Sequence, residues 1–283
     1  MKYEISYADE RYKKAQDVHV RFSKWFGGFD KVIAYSPIDI DEEFKKKNAA
    51  IFNQKRGGGY WIWKPYIVYH TLQKLEDGDY LFYCDTGCVL LKNANVFINI
   101  MKRDQEDIMA FEVYGHEEQA WTKRDIFEYY GNTSEECRIS NQIMGTFLFM
   151  KKTEKTMSIM KEWLDAACTG TLISDAENKS GLPNYDSFVE NRHDQSLLSV
   201  LLKTKGINPY RDPSQFGLYQ KYKYKAKCMN ADRDYETYRK STYKMPILLH
   251  RCGNIKLLGV VKGYYIRVWK KSKEYRKNPM LPI

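Results

Sequence analysis

Tyr80-Leu81-Phe82-Tyr83-Cys84-Asp85-Thr86-Gly87-Cys88 is the stretch that decides the fold. Apolar and aromatic residues climb to a single carboxylate, and a glycine turn follows. The pattern predicts a buried strand that delivers Asp85 to the carboxyl edge of a sheet, where open α/β sheets hold their ligands. A charge ending so apolar a run calls for a partner, either a cation or an array of donors. The plainer reading is a strand that ends in an ordinary Asp-Thr-Gly turn.

The neighbouring segments alternate in type. Residues 3–7 read as a first strand, and Tyr12, Ala15, Val18 and Phe22 then recur at helical spacing. Residues 31–35 form a second strand, stopped by Ser36-Pro37, and Asp39 or Asp41 caps a short helix toward Ile51. Arg56-Gly57-Gly58-Gly59 reads as a flexible break. Pro65 suits the first turn of a helix striped by Val68, Leu72 and Leu75. Further strands are expected at 108–112, 145–150 and 246–250. Thr122-Lys123-Arg124-Asp125 resembles a capping box opening a helix through Tyr130. Met157, Met160, Leu164 and Ala167 mark another helix, and Leu197, Leu198, Leu201 and Leu202 a third. Residues 171–190 read as a long loop, and the basic, tyrosine-rich block 219–244 has no clear period. Strands alternating with helices predict a layered α/β sheet. One domain, 1–259, is expected, followed by a basic aromatic tail, 260–283.

Composition narrows the partners. The 283 residues are 43% hydrophobic, which excludes global disorder. No apolar run approaches the ~20 residues of a membrane span. With 46 basic against 36 acidic residues the net charge is +10, which favours nucleotides, phospholipids or nucleic acid. The 23 tyrosines suit surfaces that meet sugars, headgroups or bases. Six scattered cysteines have no framework spacing, and Met1-Lys2-Tyr3-Glu4 runs straight into a strand without a signal peptide. Free thiols in a reducing cytosol are expected. Cys84 and Cys88 lack the second pair that a zinc site needs.

Four constellations join Asp85. In Arg56-Gly57-Gly58-Gly59-Tyr60-Trp61-Ile62-Trp63-Lys64-Pro65, glycines admit an anion to backbone N–H groups. Lys64 precedes a helix start that favours phosphate, and the tryptophans offer flat faces. This is not a P-loop, because no Ser or Thr follows Lys64. The alternative is a loop anchored by core tryptophans. Asn191-Arg192-His193-Asp194-Gln195-Ser196 opens a helix with more polar functionality than one cap needs, so Asp194 is a candidate general base that His193 orients. His250-Arg251 follows an apolar strand; His250 can ligate metal or donate to phosphate, and Arg251 can clamp phosphate. Gly145, between polar and apolar runs, suggests close approach of a sugar to backbone, or a simple bulge.

The order of these motifs resembles a bacterial nucleotide-sugar glycosyltransferase of the GT-A fold, of the kind that builds capsule or lipopolysaccharide. The resemblance runs from Tyr3 to Asn254, and the Trp-Lys-Pro and His-Asp-Gln segments carry most of it. It implies a Rossmann-like, mostly parallel central sheet flanked by helices and a UDP- or dTDP-sugar donor. The acceptor would be a glycan or lipid-linked glycan, and Mn²⁺ or Mg²⁺ would bridge the diphosphate. Tyr7, Ala8 and Asp9 would lie near base and ribose. Arg56, Gly59, Tyr60, Trp63, Lys64, Thr86, Gly87 and Arg251 would contact the donor, and Gly145, Asn191 and Gln195 the acceptor. Asp85 matches the first acid of the Asp-x-Asp motif, and His250 would complete a metal shell with it. The second acid is Gly87, which weakens that shell and leaves metal-independent catalysis open, with Lys64 and Arg251 neutralising the leaving diphosphate. Asp194 would be the base of an inverting enzyme. A cytoplasmic protein is expected, docked on the inner face of the plasma membrane through the aromatic and basic residues of 260–283. Two other readings remain: a nucleic-acid-binding protein built on the basic, tyrosine-rich C-terminal third, though no recognition module appears, and a catalytically dead sugar-nucleotide binder, suggested by Gly87.

Overall fold

The computed structural model describes residues 1–229 and 232–283. Seven strands occur among them: β1 Lys2–Tyr7, β2 Lys31–Tyr35, β3 Tyr80–Cys84, β4 Cys88–Leu90, β5 Ile108–Glu117, β6 Asn141–Lys151 and β7 Ile247–Leu249. The main sheet has the order β2-β1-β3-β6-β5. β1 pairs in parallel with β2 and β3, while β6 runs antiparallel to both β3 and β5. Four strands therefore point one way, and β6 alone opposes them. β4 and β7 pair antiparallel in a small second sheet.

The apolar run ending at Asp85 is the centre of the sheet, and both its faces are covered. Leu81 and Tyr83 join one buried cluster, under helices Trp63–Gln73, Glu154–Cys168 and Asp194–Thr204. Phe82 and Cys84 join the other, with Phe97 of helix Asn95–Asp104. A strand buried on two sides has no solvent-facing position for a polar residue, so its sequence is continuous rather than alternating. Each fully buried aromatic here contributes ~1.5–3 kcal/mol of transfer free energy.

Helix starts follow local chemistry in part. Pro65 falls in the first turn of Trp63–Gln73, where a missing N–H costs nothing. Thr153 caps Glu154–Cys168 by accepting from the Thr156 N–H at 3.2 Å. The capping box expected at Thr122 does not form. Helix Arg124–Tyr130 has no side-chain cap; Thr122 donates to Glu118 instead, and Asp125 accepts from the backbone of Lys179 and Ser180. The aperiodic block 219–244 contains most of helix Gln215–Lys225 and all of Asp232–Lys240, with residues 230–231 outside the described ones.

The boundary expected at 259/260 falls inside helix Leu257–Tyr264. Val260 is buried with Phe22 and Leu248, and the Tyr275 ring stacks on Tyr219 at 4.4 Å. Residues 260–283 thus pack onto the body of the domain.

Candidate functional site

The strand pairing fixes which residues meet. Ile5 of β1 sits beside Tyr83 of β3, so Tyr7 and Asp85 both emerge at the carboxyl edge of parallel strands. The Asp85 N–H donates to the Thr146 carbonyl at 2.9 Å, which brings the middle of β6 to the same edge. A cleft of about 630 Å³ opens there, lined by Tyr7, Asp9, Gly58, Trp63, Asp85 and Gln195 among others.

Beneath the cleft lies a buried ammonium. Lys64 donates to the Gly145 carbonyl at 3.0 Å, and its Nζ stands 3.0 Å from Asp194 Oδ2 and 3.5 Å from Asp85 Oδ1. The side chains of Lys64 and Asp194 are each only 5% exposed, whereas Asp85 is 37% exposed and faces the cleft. Burial alone would lower the Lys64 pKa, but the two carboxylates outweigh it and hold the lysine charged. Burial pushes Asp194 up to about 6, against the opposing pull of Lys64. The Tyr83 hydroxyl donates to the same Asp85 oxygen that Lys64 approaches.

Gly145 exists to admit this knot. A Cβ on it would lie 3.2 Å from the Asp194 carboxylate and 3.3 Å from Lys64 Nζ. Its N–H donates to Gln195 Oε1 at 2.9 Å, and Gln195 Nε2 donates to Gln142 at 2.6 Å, so the Gln195 amide is held rigidly at the cleft wall.

Lys64 is aimed by a strained turn. Residues 57–61 all have positive φ, including Tyr60 (51°) and Trp61 (61°). Two consecutive bulky residues in the left-handed region cost energy that the rest of the fold must supply, and such strain concentrates at functional sites. Gly57 has no alternative, because a Cβ there would collide with the Trp61 ring. The turn is closed by Trp63 Nε1 donating to the Gly57 carbonyl at 2.9 Å, and Tyr7 stacks on Trp63 at 3.8 Å. The segment read as flexible is a fixed scaffold.

The Gly87 turn is tied to the end of β7. Its carbonyl accepts from the His250 and Arg251 N–H groups at 2.7 and 2.9 Å, and Arg251 also lines the cleft. His250 points elsewhere: it is buried, its Nδ1 accepts from the Cys252 N–H, and its pKa falls to about 4 through burial and the neighbouring His19 and Arg267. The expected Asp85–His250 metal pair is therefore not assembled. Among the described residues no three His, Cys, Asp or Glu side chains converge as a metal shell, and Asp85 is already engaged by Tyr83 and Lys64. Of the two expected ligands only Asp85 faces the cleft, and Lys64 already stands against it.

The other expected residues divide. Ala8, Thr86 and Gly87 line the cleft with Tyr7, Asp9, Trp63 and Arg251. Arg56 does not, because it pairs with Asp175 at 3.3 Å and Glu190 at 2.9 Å. His193 stacks on Tyr60 and holds the Ile173 carbonyl through Nδ1 at 2.7 Å, and Asn191 donates to the Leu172 and Ser174 carbonyls. Gly59 supplies only its left-handed backbone. Asp194, sealed under Lys64, acts as that lysine's counter-charge rather than as a base exposed to an acceptor. Residues that the sequence did not single out complete the wall: Arg11, Tyr114, His116, Arg192, Phe216 and Gln220. Tyr114 and His116 come from β5, Phe216 and Gln220 from helix Gln215–Lys225, and of the six only Arg192 falls within a motif quoted above.

Against solved structures, WbbM, a bifunctional glycosyltransferase, matches at a TM-score of 0.51 and 6% identity over 96% of this chain. The fold is a GT-A glycosyltransferase fold. The chain spans about half of WbbM, 51% of its length. Mouse xyloside xylosyltransferase 1 matches at 0.47 with 8% identity, over 90% of this chain and 100% of that one. Galactosyltransferase LgtC, in complex with donor and acceptor sugar analogs, matches at 0.47 with 13% identity, over 97% and 99%. No family model and no curated protein matches the chain. No helix among the described residues is long and apolar enough to cross a membrane.

Proposed function

We propose that this protein is a glycosyltransferase, moving a sugar from a nucleoside diphosphate donor to a glycan or lipid-linked glycan in bacterial surface polysaccharide synthesis. The observation that carries the reading is the convergence of the Gly57–Lys64 turn, Asp85 and Gln195 at one cleft, from three places far apart in the sequence. A UDP or dTDP base lies by Tyr7, Ala8 and Asp9, against the stacked Tyr7–Trp63 pair. The diphosphate faces Arg11 and Arg251. As the C1–O bond to diphosphate breaks, the acceptor oxygen bonds to C1, its hydroxyl proton passes to the departing diphosphate, and charge builds on that leaving group, where fixed cations favour the transition state over the ground state.

Lys64 solves a local problem. A bare carboxylate beside a diphosphate repels it, and an ammonium 3.5 Å from Asp85 offsets that repulsion. Asp85 then orients the transferring sugar by accepting from its hydroxyls, and Gln195 stands beside it. Asp194 keeps Lys64 charged and in place.

The protein acts in the cytoplasm, at the inner face of the membrane. The test is turnover of a panel of UDP- and dTDP-sugars, read as release of nucleoside diphosphate. The parent releases it from at least one donor, and Asp85→Asn does not. A parent inert to the whole panel that still binds nucleotide would instead support the catalytically dead binder.

A further inference from the structure

Helix Leu257–Tyr264 continues without a break through a π turn, Tyr265–Lys270, into helix Lys271–Lys277. Its inner side carries Val260, Val268 and Tyr275. Its outer side is apolar and bare: Leu258 is 82% exposed, Val261 63%, and Tyr265 and Trp269 stack on each other in the open at 5.0 Å. The inner valines share a cluster with Phe22, whose ring also touches Trp25 at 5.9 Å and Phe26 at 5.6 Å. Those two rings, on the π turn Ser23–Gly27, are exposed as well. Two segments from opposite ends of the chain thus border one cluster and present aromatic and aliphatic groups around it.

The charge on this face is predominantly positive. Residues 256–277 hold eight basic side chains and one acid, Glu274, and Arg21 and Lys24 stand exposed beside Trp25. Lys273 lies 3.5 Å over the Trp269 ring. Exposed Trp, Tyr and Leu interleaved with lysine match the chemistry of an anionic bilayer surface, where rings sit among headgroups and ammonium groups meet lipid phosphate. A water-exposed apolar face of this kind is costly unless something covers it.

We infer that Trp25 and Phe26 form, with Leu258, Val261, Tyr265 and Trp269, a two-part face that lies on an anionic phospholipid bilayer. The face adjoins the cleft. The Gly253 carbonyl, just ahead of the helix, accepts from the Ala15 N–H at 3.2 Å, and Arg11, Tyr12 and Arg251 on either side of that contact line the cleft wall. Docking would hold the cleft mouth near the headgroups, where a lipid-linked acceptor presents its glycan. Only that last step rests on the proposed reaction; the docking stands on the surface itself.

Flotation of the full-length protein with phosphatidylcholine vesicles, with and without phosphatidylglycerol, reads the face. The protein is expected to float only with phosphatidylglycerol, and less as salt is raised. Trp25→Ser/Phe26→Ser is expected to lower the bound fraction about tenfold, as is Leu258→Ser/Val261→Ser, for the loss of partly inserted side chains. Melting temperature and donor turnover in solution stay at the parent's values. A parent that never floats overturns the inference, as does a Trp25→Ser/Phe26→Ser variant that floats like the parent. Light scattering that finds a dimer, split by the same substitutions, assigns the face to a second copy and also overturns it. Flotation without sugar turnover supports docking and counts only against the proposed reaction.

Discussion

Two buried carboxylate–cation clusters flank the same parallel strand pair, and only one faces a cleft. Glu4 of β1 closes on His19, whose Nε2 meets the carboxylate while Nδ1 lies 2.8 Å from the Cys88 carbonyl. Both side chains are fully buried. Burial would lower the His19 pKa, but Glu4 outweighs it and holds the ring protonated. At the carboxyl edge, Lys64 meets Asp194 and Asp85, and Asp85 is left partly open. Around Lys64 lie a run of left-handed residues and a glycine at which a Cβ would crowd the ion pair at 3.2–3.3 Å. Around His19 there is none of this. Buried charge alone therefore does not mark a site. Buried charge with one partner turned outward, aimed by strained backbone, does.

The contrast breaks most sharply on Asp85→Asn. Sugar transfer should fall by about 10²–10³-fold, as for loss of one fixed electrostatic group, while the melting temperature stays near the parent's. A collapse in melting temperature would make Asp85 structural, like Glu4. His19→Leu is the mirror experiment. It strands Glu4 without its partner, so stability should drop by ~3–5 kcal/mol in urea titration, while donor affinity of the folded protein is unchanged. Lys64→Met should do both, losing stability because Asp194 is left unpaired and losing turnover because Asp85 is left uncompensated.

The two clusters also differ in the sign of their pH dependence. His19 has a folded pKa raised above its ordinary value near 6.5, so its contribution is complete below about that pH and fades as pH rises through the folded value. His19→Leu should remove that alkaline loss from the urea midpoint. Asp194, at about 6, is also raised, but for an acid this means that the charged form costs stability above pH 6. Relative to Asp194→Asn, the parent should gain stability as pH falls from neutrality toward 4. The smallest effect concerns metal. With Lys64 beside Asp85 and no cluster of three ligating side chains among the described residues, chelation by EDTA should leave turnover within about twofold; a loss of activity restored by Mn²⁺ would show that a donor-borne ion displaces Lys64 from Asp85.

Much of the scaffold was legible in the chain. The 80–84 run announced a central strand because two-sided burial leaves no polar positions, and Pro65 announced a helix start because its ring suits only the first turn. Other features were not. Three glycines say that a backbone is free, not which conformation it takes, so the rigid left-handed turn at 57–61 read as a break. β4, three residues long, is too short to carry a period. The helices across 215–240 hid because tyrosine and lysine each have apolar stems and polar tips, which blurs any stripe. Site residues were separable by type but not by partner. Arg56, His193 and Asn191 have ligand-binding chemistry, yet they spend it on residues 172–175 and Glu190. The pairing of Lys64 with Asp194 spans two helices with no local sequence link, so it emerges only when the sheet is assembled.

The most direct test of the shared cleft is a thermal melt of the full-length protein with UDP, dTDP and their sugar conjugates, run in parallel on Arg251→Ala. Ligand at ~100 times its dissociation constant adds ~2.7 kcal/mol to the native state. The expected result is a clear rise in melting temperature for at least one nucleoside diphosphate, sharply reduced in Arg251→Ala. A flat response across the panel, or a rise equal in parent and variant, would contradict a diphosphate held against Arg251 in the cleft above Lys64 and Asp85.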